Sequence, residues 1–220
     1  SRRATRNSSG TMGVGKSQAL MYLLDAARAA GVKLLVYDKT GEFTEFYYRA
    51  GRDHLLNIFD TRAEPWSVFA DLRQDFDFAA MSTFFVPENK RSADPVWDNA
   101  ARILLEDVLR IVQSGTVGNR SMARVQEILT QLPLPNLAQL LREHKAASCG
   151  TINENNEHGS ESIRLTLAAS PALKYFSYIP DPQGEQFSIR DWAVNGDDSW
   201  LFLTSRSDLH IVIKTFICVL

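Results

Sequence analysis

The apolar positions change their period along the chain. In QALMYLLDAARAA, Leu20, Leu23, Leu24 and Ala27 recur at helical steps and predict an amphipathic helix, with Gly31 as its stop. VKLLVYD, Val32 to Asp38, is a nearly continuous apolar run, the pattern of a strand buried on both faces of a parallel sheet. TGEF turns the chain, EFTEFYYRA predicts a short helix and LLNIF a further strand. From about Phe76 to Tyr178 strand signals nearly vanish. DFAAMSTFF reads as helix. DPVWDNAARILLEDVLRIVQ is the strongest helical segment, with Asp94 to cap it and Pro95 in its first turn. SMARVQEILTQL is capped by Ser121, and NLAQLLREHKAA opens after two prolines. GSESIRLTLAASPALKYFSYI is one helix or two, broken near Pro171. FSIRDWAV and the turn NGDDS lead to WLFLTS, a second strand-type run expected in the same sheet as VKLLVYD. DLHIVIKTFICVL begins a helix.

These elements predict an α/β protein with an all-helical insertion of four to six helices. The expected division is 10–75 for the first part of a nucleotide-binding domain, 76–178 for the all-α insertion and 179–220 for the return to the sheet. Internal repeats and low-complexity segments are absent.

Composition narrows the function classes. Of 220 residues, 45% are hydrophobic and 23% charged, which suits a globular chain with a sizeable core. A net charge of −2 excludes a polycation, so any basic surface is local. Arg2, Arg3 and Arg6 form either a solvated tail or a binding arm. Cys149 and Cys218 lack metal-type spacing, and His54, His144, His158 and His210 are scattered, so neither a metal cluster nor a disulfide framework is expected and a reducing compartment fits. IVIKTFICVL is about half the length of a membrane span and holds Lys214, which predicts a soluble chain with no anchor of its own.

The chemistry concentrates in GTMGVGKS, Gly10 to Ser17, which matches G-x-x-x-x-G-K-[ST] and is followed by a helix and a buried strand. Gly10, Gly13 and Gly15 allow the backbone to approach phosphate oxygens, and the turn offers successive N–H groups at a helix N-terminus. Lys16 would reach the β- and γ-phosphates and Ser17 would place its hydroxyl on magnesium. YDKTGEF ends the first buried strand, where α/β sheets bind ligands. Asp38 and Glu42 there are either a water-mediated magnesium contact or switch, or else a polar turn in which Gly41 supplies positive φ. The second acid that nucleotide hydrolysis needs after an apolar run is missing, because WLFLTS ends in Thr204 and Ser205.

Taken in order, GTMGVGKS, LLVYDKTGEF, LLNIFDTRAEPWSVFAD, DPVWDNAAR, SIR, FSIRDW and SWLFLTS resemble the TraD-like coupling proteins of conjugative type IV secretion systems. The resemblance runs from Gly10 to nearly the end of the chain. It implies a RecA-like P-loop NTPase with a parallel sheet, here incomplete, and an inserted all-α subdomain. Members are ATPases of the hexameric translocase group related to FtsK and HerA, anchored in the bacterial inner membrane, with the motor on its cytoplasmic face. They receive the relaxase–DNA complex and pump single-stranded DNA into the secretion channel. By resemblance, Gly10, Thr11, Met12, Gly13, Val14, Gly15, Lys16 and Ser17 bind ATP together with Asp38. Lys16 and Ser17 serve catalysis, and Ser17 holds Mg2+.

The sequence departs from that pattern in three ways. SRRATRNSS replaces the strand before the phosphate loop, the second acidic motif does not appear, and no membrane anchor is present. The expectation is an internal piece of a longer motor, of low stability in isolation because neighbours of an absent central strand expose apolar faces and edges. The alternative is a remnant that binds nucleotide or docks relaxase without hydrolysis. Lys90, Arg91 and Arg102 are either DNA contacts or a solvated charged face.

Overall fold

The computed structural model describes residues 14–57, 60–87, 95–179 and 184–204, with the backbone alone at Val14 and Lys16. The chain builds a parallel three-stranded sheet from β1 (Leu34–Asp38), β2 (His54–Leu56) and β3 (Trp200–Thr204), in the order β1-β3-β2. The register pairs Leu34 with Trp200, Asp38 with Thr204 and His54 with Leu201. Thus the two apolar runs expected to share a sheet lie side by side. The strand expected at LLNIF starts one residue early and ends at Leu56, and Ile58 and Phe59 lie outside the described residues.

All five residues of β3 are buried, which is why its sequence is continuously apolar rather than alternating. One face sends Trp200 and Phe202 against Leu24, Val36 and Leu55 beneath helix α1 (Val14–Ala29). The other sends Leu201 and Leu203, with Leu56, into the main core. Gly31, at φ 65°, ends α1 as expected, and the Val32 amide donates to the Ala27 carbonyl at 3.0 Å. The buried face of α1 differs from the expected one. Leu24 is buried and Ala27 half-buried, but Leu20 and Leu23 are 41% and 67% exposed. Arg28 takes the place on the inner stripe, its guanidinium 3.5 Å from the Trp200 ring centroid.

Short helices α2 (Glu42–Tyr47) and α3 (Val68–Asp71) precede the helical region. Between residues 75 and 179 every described α-helix or strand is helical: α4 (Asp75–Phe85), α5 (Pro95–Gln113), α6 (Met122–Thr130), α7 (Leu134–Glu143), α8 (Glu157–Ala168) and α9 (Pro171–Phe176). Helix α10 (Ile189–Val194) then leads to β3. Ser121 caps α6 as its sequence predicts, accepting the Arg124 amide at 3.1 Å. Ser170 splits the last long segment into α8 and α9: its hydroxyl accepts the Leu173 amide and donates to the Phe85 carbonyl at 2.7 Å. Helix α7 starts earlier than expected because Pro133 caps it in an extended conformation and Pro135 fits its first turn. Along α5, Ala101, Leu104, Leu105, Val108, Leu109 and Val112 are fully buried. Asp107 joins them because the Ser148 amide and hydroxyl bind its carboxylate at 2.7 and 2.6 Å.

Among the described residues no helix is long and apolar enough to cross a membrane. Arg2, Arg3, Arg6, Asp94, His210, Cys218 and the segment DLHIVIKTFICVL lie outside the described residues.

Candidate functional site

Helix α1 is anchored at its far end. Arg28, in its last turn, donates to both oxygens of Asp53 at 3.0 and 2.8 Å. Asp53 stands just before β2 and accepts the amide of Trp200, the first residue of β3, so this anchor marks the amino edge of the sheet. From Arg28 back to Val14 the helix runs about 21 Å at 1.5 Å per residue. Leu24, one turn before Arg28, shares a buried cluster with Val36 at the middle of β1, a strand of five residues that spans roughly 17 Å, so the helix runs back along the strand from its amino end. The first turn of α1 therefore opens at the carboxyl edge of the strands.

Gly15 and Ser17 lie in that turn. The leading N–H groups of a helix have no intrahelical acceptor and carry the positive end of its dipole, which suits an anion. Apart from its chain neighbours and its own helix backbone, no heavy atom of the described residues lies within 4 Å of where a Cβ on Gly15 would be. Ser17 is half-buried. These features fit a phosphate group and a hydroxyl-bound magnesium ion. Gly10, Thr11, Met12 and Gly13, with the side chains of Val14 and Lys16, lie outside the described residues.

Asp38 ends β1 and is 1% exposed. One of its oxygens accepts the Thr44 amide at 2.7 Å and the Thr44 hydroxyl at 2.8 Å, and the other accepts the Gly41 amide at 3.0 Å. Gly41, at φ 79°, makes the turn. The carboxylate thus ties the strand end to the start of α2, while Glu42 is exposed beside it. Across the same edge the Asn57 side-chain amide donates to the Thr204 hydroxyl at 2.9 Å.

Two polar assemblies escaped sequence reasoning. The first is the amino-edge anchor. Burial pushes the Asp53 carboxyl up, but hydrogen bonds from Arg49, Arg28 and the amides of Trp200 and Arg49 outweigh it and hold the group below its ordinary value. Beside it Lys33 donates to the Trp192 and Asn195 carbonyls and pairs with Asp197 at 3.0 Å. The Ser199 hydroxyl and Lys33 bring Asp197 down to about 2. An acid directly before an apolar run was the available signal for Asp53.

The second assembly joins the segment from Trp66 to Asp77 to FSIRDW, where the chain leaves the sheet for the helical region and returns. The Asp71 carboxylate accepts the Trp66 indole N–H at 2.8 Å, the Ser188 hydroxyl at 2.7 Å and the amides of Ile189 and Arg190. Arg73 forks onto Asp191 with both bonds at 2.6 Å, and Arg190 reaches Asp77 at 2.6 Å. Trp66 and Phe187 form a parallel bridge. A cleft of about 360 Å³ lies between these segments, lined by Trp66, Leu72, Met81, Phe84 and Ile189. Its lining does not include Gly15, Ser17 or Asp38.

Of the basic candidates, Arg102 donates to the Val86 carbonyl at 2.7 Å and to Asn99 at 2.6 Å. Lys90 and Arg91 lie outside the described residues. Among the described residues no group of three or more His, Cys, Asp or Glu side chains is placed to hold a metal ion.

Known proteins resemble this chain in sequence and in fold. The family described as type IV secretion-system coupling protein DNA-binding domain matches residues 4–220. Coupling protein TraD of Escherichia coli (strain K12) is 30% identical over 213 residues, which cover 94% of this chain and 29% of TraD. The conjugative coupling protein TrwB, solved as TrwBdeltaN70 with sulphate, superposes with a TM-score of 0.76, and TrwB with the non-hydrolysable ATP analogue ADPNP with 0.77. Each is 24% identical, and the match covers 96% of this chain and 49% of the TrwB chain. The chain thus spans less than a third of TraD and about half of TrwB. The TrwB likeness bears out the expected fold class, α/β with an incomplete parallel sheet and many helices. The family match, covering residues 4–220, bears out the resemblance: the chain belongs to the type IV secretion-system coupling proteins, in their DNA-binding domain family.

Proposed function

We propose that the chain is part of an ATP-driven motor that couples a relaxase–DNA complex to a type IV secretion channel and moves single-stranded DNA during conjugation. In this reading residues 10–75 and 179–220 make the nucleotide-binding unit and residues 76–178 the all-α insertion, tied to that unit by Arg190 on Asp77 and by Gln113 on the Phe69 and Leu72 carbonyls. The parent assembly is a homo-hexamer on the cytoplasmic face of the bacterial inner membrane. The observation that carries the proposal is the first turn of α1, which opens at the carboxyl edge of a parallel sheet directly after a phosphate-loop sequence. Support comes from TrwB, solved with ADPNP, with the GTP analogue GDPNP and with ADP and Mg2+.

Gly10, Thr11, Met12, Gly13, Val14 and Gly15 would offer backbone to the phosphates, Lys16 its ammonium, and Ser17 its hydroxyl to Mg2+. Bound ATP·Mg2+ supplies the phosphoryl group whose loss drives the motor. Asp38 acts as a positioning residue: its bonds to Gly41 and Thr44 fix the turn that faces the nucleotide end of the sheet. A second reading, a non-hydrolysing nucleotide-binding or docking remnant, is favoured by that engagement, since protein donors occupy both oxygens of the acid that ends β1.

Titration with a fluorescent ATP analogue and Mg2+ tests the site. We expect saturable, magnesium-dependent binding that Lys16→Ala weakens at least about tenfold, a loss of about 1.4 kcal/mol. Equal affinity in the variant would refute the phosphate-loop assignment. ATPase assays with single-stranded DNA separate the readings: turnover abolished by Lys16→Ala fits an active motor, and binding without turnover fits the remnant. The chain alone is expected to bind without turning over.

A further inference from the structure

At one end of the helical region a loop and a helix terminus meet. Residues 114–120, between α5 and α6, form an exposed loop around Gly115 and Gly118. The Arg120 guanidinium lies 3.7 Å from where a Cβ on Gly115 would sit. The His144 ring, at the end of α7, reaches the Thr116 hydroxyl at 3.0 Å through Nε2 and the Leu140 carbonyl at 3.0 Å through Nδ1. Arg124 donates to the Val117 carbonyl at 2.9 Å. Lys145 follows His144 directly, so the loop carries Arg120, Arg124, His144 and Lys145 around exposed Ser114, Thr116 and Asn119.

Two properties bear on this surface. Most described arginines are neutralised by a carboxylate, as Arg28, Arg49, Arg73, Arg110 and Arg190 are. Arg120 and Lys145 are exposed and make no ion pair among the described residues. The nearby acids are already engaged: Glu127 pairs with Arg124 at 2.7 Å, and Glu143 accepts from Gln139 at 2.8 Å. Lys145 is also the one non-glycine among the described residues with positive φ, at 52°. It sits where a helix end favours glycine, with the Ala146 amide bonding back to Leu141 at 2.9 Å. A lysine held there keeps a cation on the surface at the expense of backbone strain.

We infer that this helix-end surface, centred on Arg120 and Lys145, contacts the phosphate backbone of single-stranded DNA. The inference rests on the DNA-motor reading, and it names where in the helical region the strand runs. The contact is sequence-independent: two exposed cations and loop hydroxyls suit phosphate oxygens.

The test is fluorescence anisotropy of the 220-residue chain with a fluorescein-labelled oligo-dT of about 30 nucleotides, from 50 to 300 mM salt. At about 0.7 counterions released per phosphate contact, losing two contacts weakens binding about 25-fold at 0.1 M salt and reduces the log–log salt slope by about 1.4. Arg120→Ala combined with Lys145→Gly is expected to show both changes. Lys145→Gly alone should bind about fivefold more weakly while its melting temperature stays level or rises, because glycine relieves the positive φ. Lys174→Ala, which removes an exposed lysine on α9, should bind like wild type. If wild type binds and the double variant matches it in affinity and slope, this surface is not the contact while the DNA reading stands. If wild type fails to bind oligo-dT at 50 mM salt, the DNA reading falls and this inference with it.

Discussion

The two faces of the sheet are covered on unequal terms. On one side Leu56, Leu201 and Leu203 merge with the interior of α4–α9, where Leu104, Leu105, Leu109, Val125 and Leu137 are wholly buried. On the other, the buried cluster among the described residues is Leu24, Val36, Leu55, Trp200 and Phe202, with half-buried Ala27, Leu34, Phe43, Tyr47 and Tyr48 against it. The helix above that small cluster leaves Leu20, Tyr22 and Leu23 exposed. What this second side lacks in apolar burial it makes up in directed polar contacts, above all the Arg28, Arg49 and Trp200 bonds to Asp53. Apolar packing spreads its stability over many residues, whereas a buried ion cluster fails when one member is removed. The side that carries α1, where nucleotide binding is proposed, is thus the side whose stability is set by few groups. Such a unit opens at lower free energy, and a ligand at the start of α1 would stabilise it.

The largest effect that could break this contrast is at Asp53. Asp53→Ala leaves Arg28 without its carboxylate and removes the acceptor for the Trp200 amide, all at a side chain with no exposure. Breaking such a pair costs about 3–5 kcal/mol. Urea unfolding should lose that much, with tryptophan fluorescence changing before the helical circular-dichroism signal. A loss below about 1 kcal/mol would show that the small cluster suffices without its charges.

Next in size is Asp71→Ala. It leaves the Trp66 indole N–H, the Ser188 hydroxyl and the amides of Ile189 and Arg190 without their acceptor. A hydrogen bond to a charged group contributes about 1.5–3 kcal/mol, and a loss of about 2–3 kcal/mol is expected from urea melts. Asp71→Asn should recover part of it, because its carbonyl oxygen still accepts.

Acid should weaken both regions together. Burial raises the Asp77 carboxyl, but Arg190 and the amides of Gln74 and Arg73 bring it below its ordinary value, as happens at Asp53. A depressed carboxyl adds stability that is complete above its unfolded value near 4 and is lost as pH falls through the folded value. The urea midpoint should therefore fall steadily from about pH 4.5 downward. Asp197 is held down at about 2 by the Ser199 hydroxyl and Lys33. It is 43% exposed on its side chain, so Asp197→Asn should only slightly flatten the lowest part of the curve.

What the sequence revealed and what it hid divide by distance along the chain. The strand runs at 34–38 and 200–204, the Gly31 stop, the Ser121 cap and the break near Pro171 were readable because period and capping are local properties. GTMGVGKS is a local word too, but Gly10 to Gly13 lie outside the described residues, and its phosphate-binding role stays a proposal. Asp38 was visible as an acid at a strand end, but its engagement by Gly41 and Thr44 needed coordinates. The Asp53 and Asp71 assemblies stayed hidden: Trp200 lies 147 residues from Asp53 and Ser188 lies 117 from Asp71. FDTRAEPW and FSIRDW stood out as family-like words, yet one sequence does not say that two words touch.

The smallest expected effect sharpens the contrast on one helix. Leu23 and Leu24 are adjacent and chemically identical, and apolar periodicity assigned both to the buried face of α1. Leu24 is 6% exposed against Val36, Leu55 and the β3 aromatics, so Leu24→Ala should cost about 2–3 kcal/mol. Leu23 is 67% exposed, and Leu23→Gln should move stability by less than about 0.5 kcal/mol. Glutamine is nearly as good a helix former as leucine, which leaves burial as the main difference being measured. If Leu23→Gln cost as much as Leu24→Ala, the outer face of α1 would be covered in solution. The phosphate-loop side would then be better buried than the isolated chain displays, and the inequality between the two faces of the sheet would close.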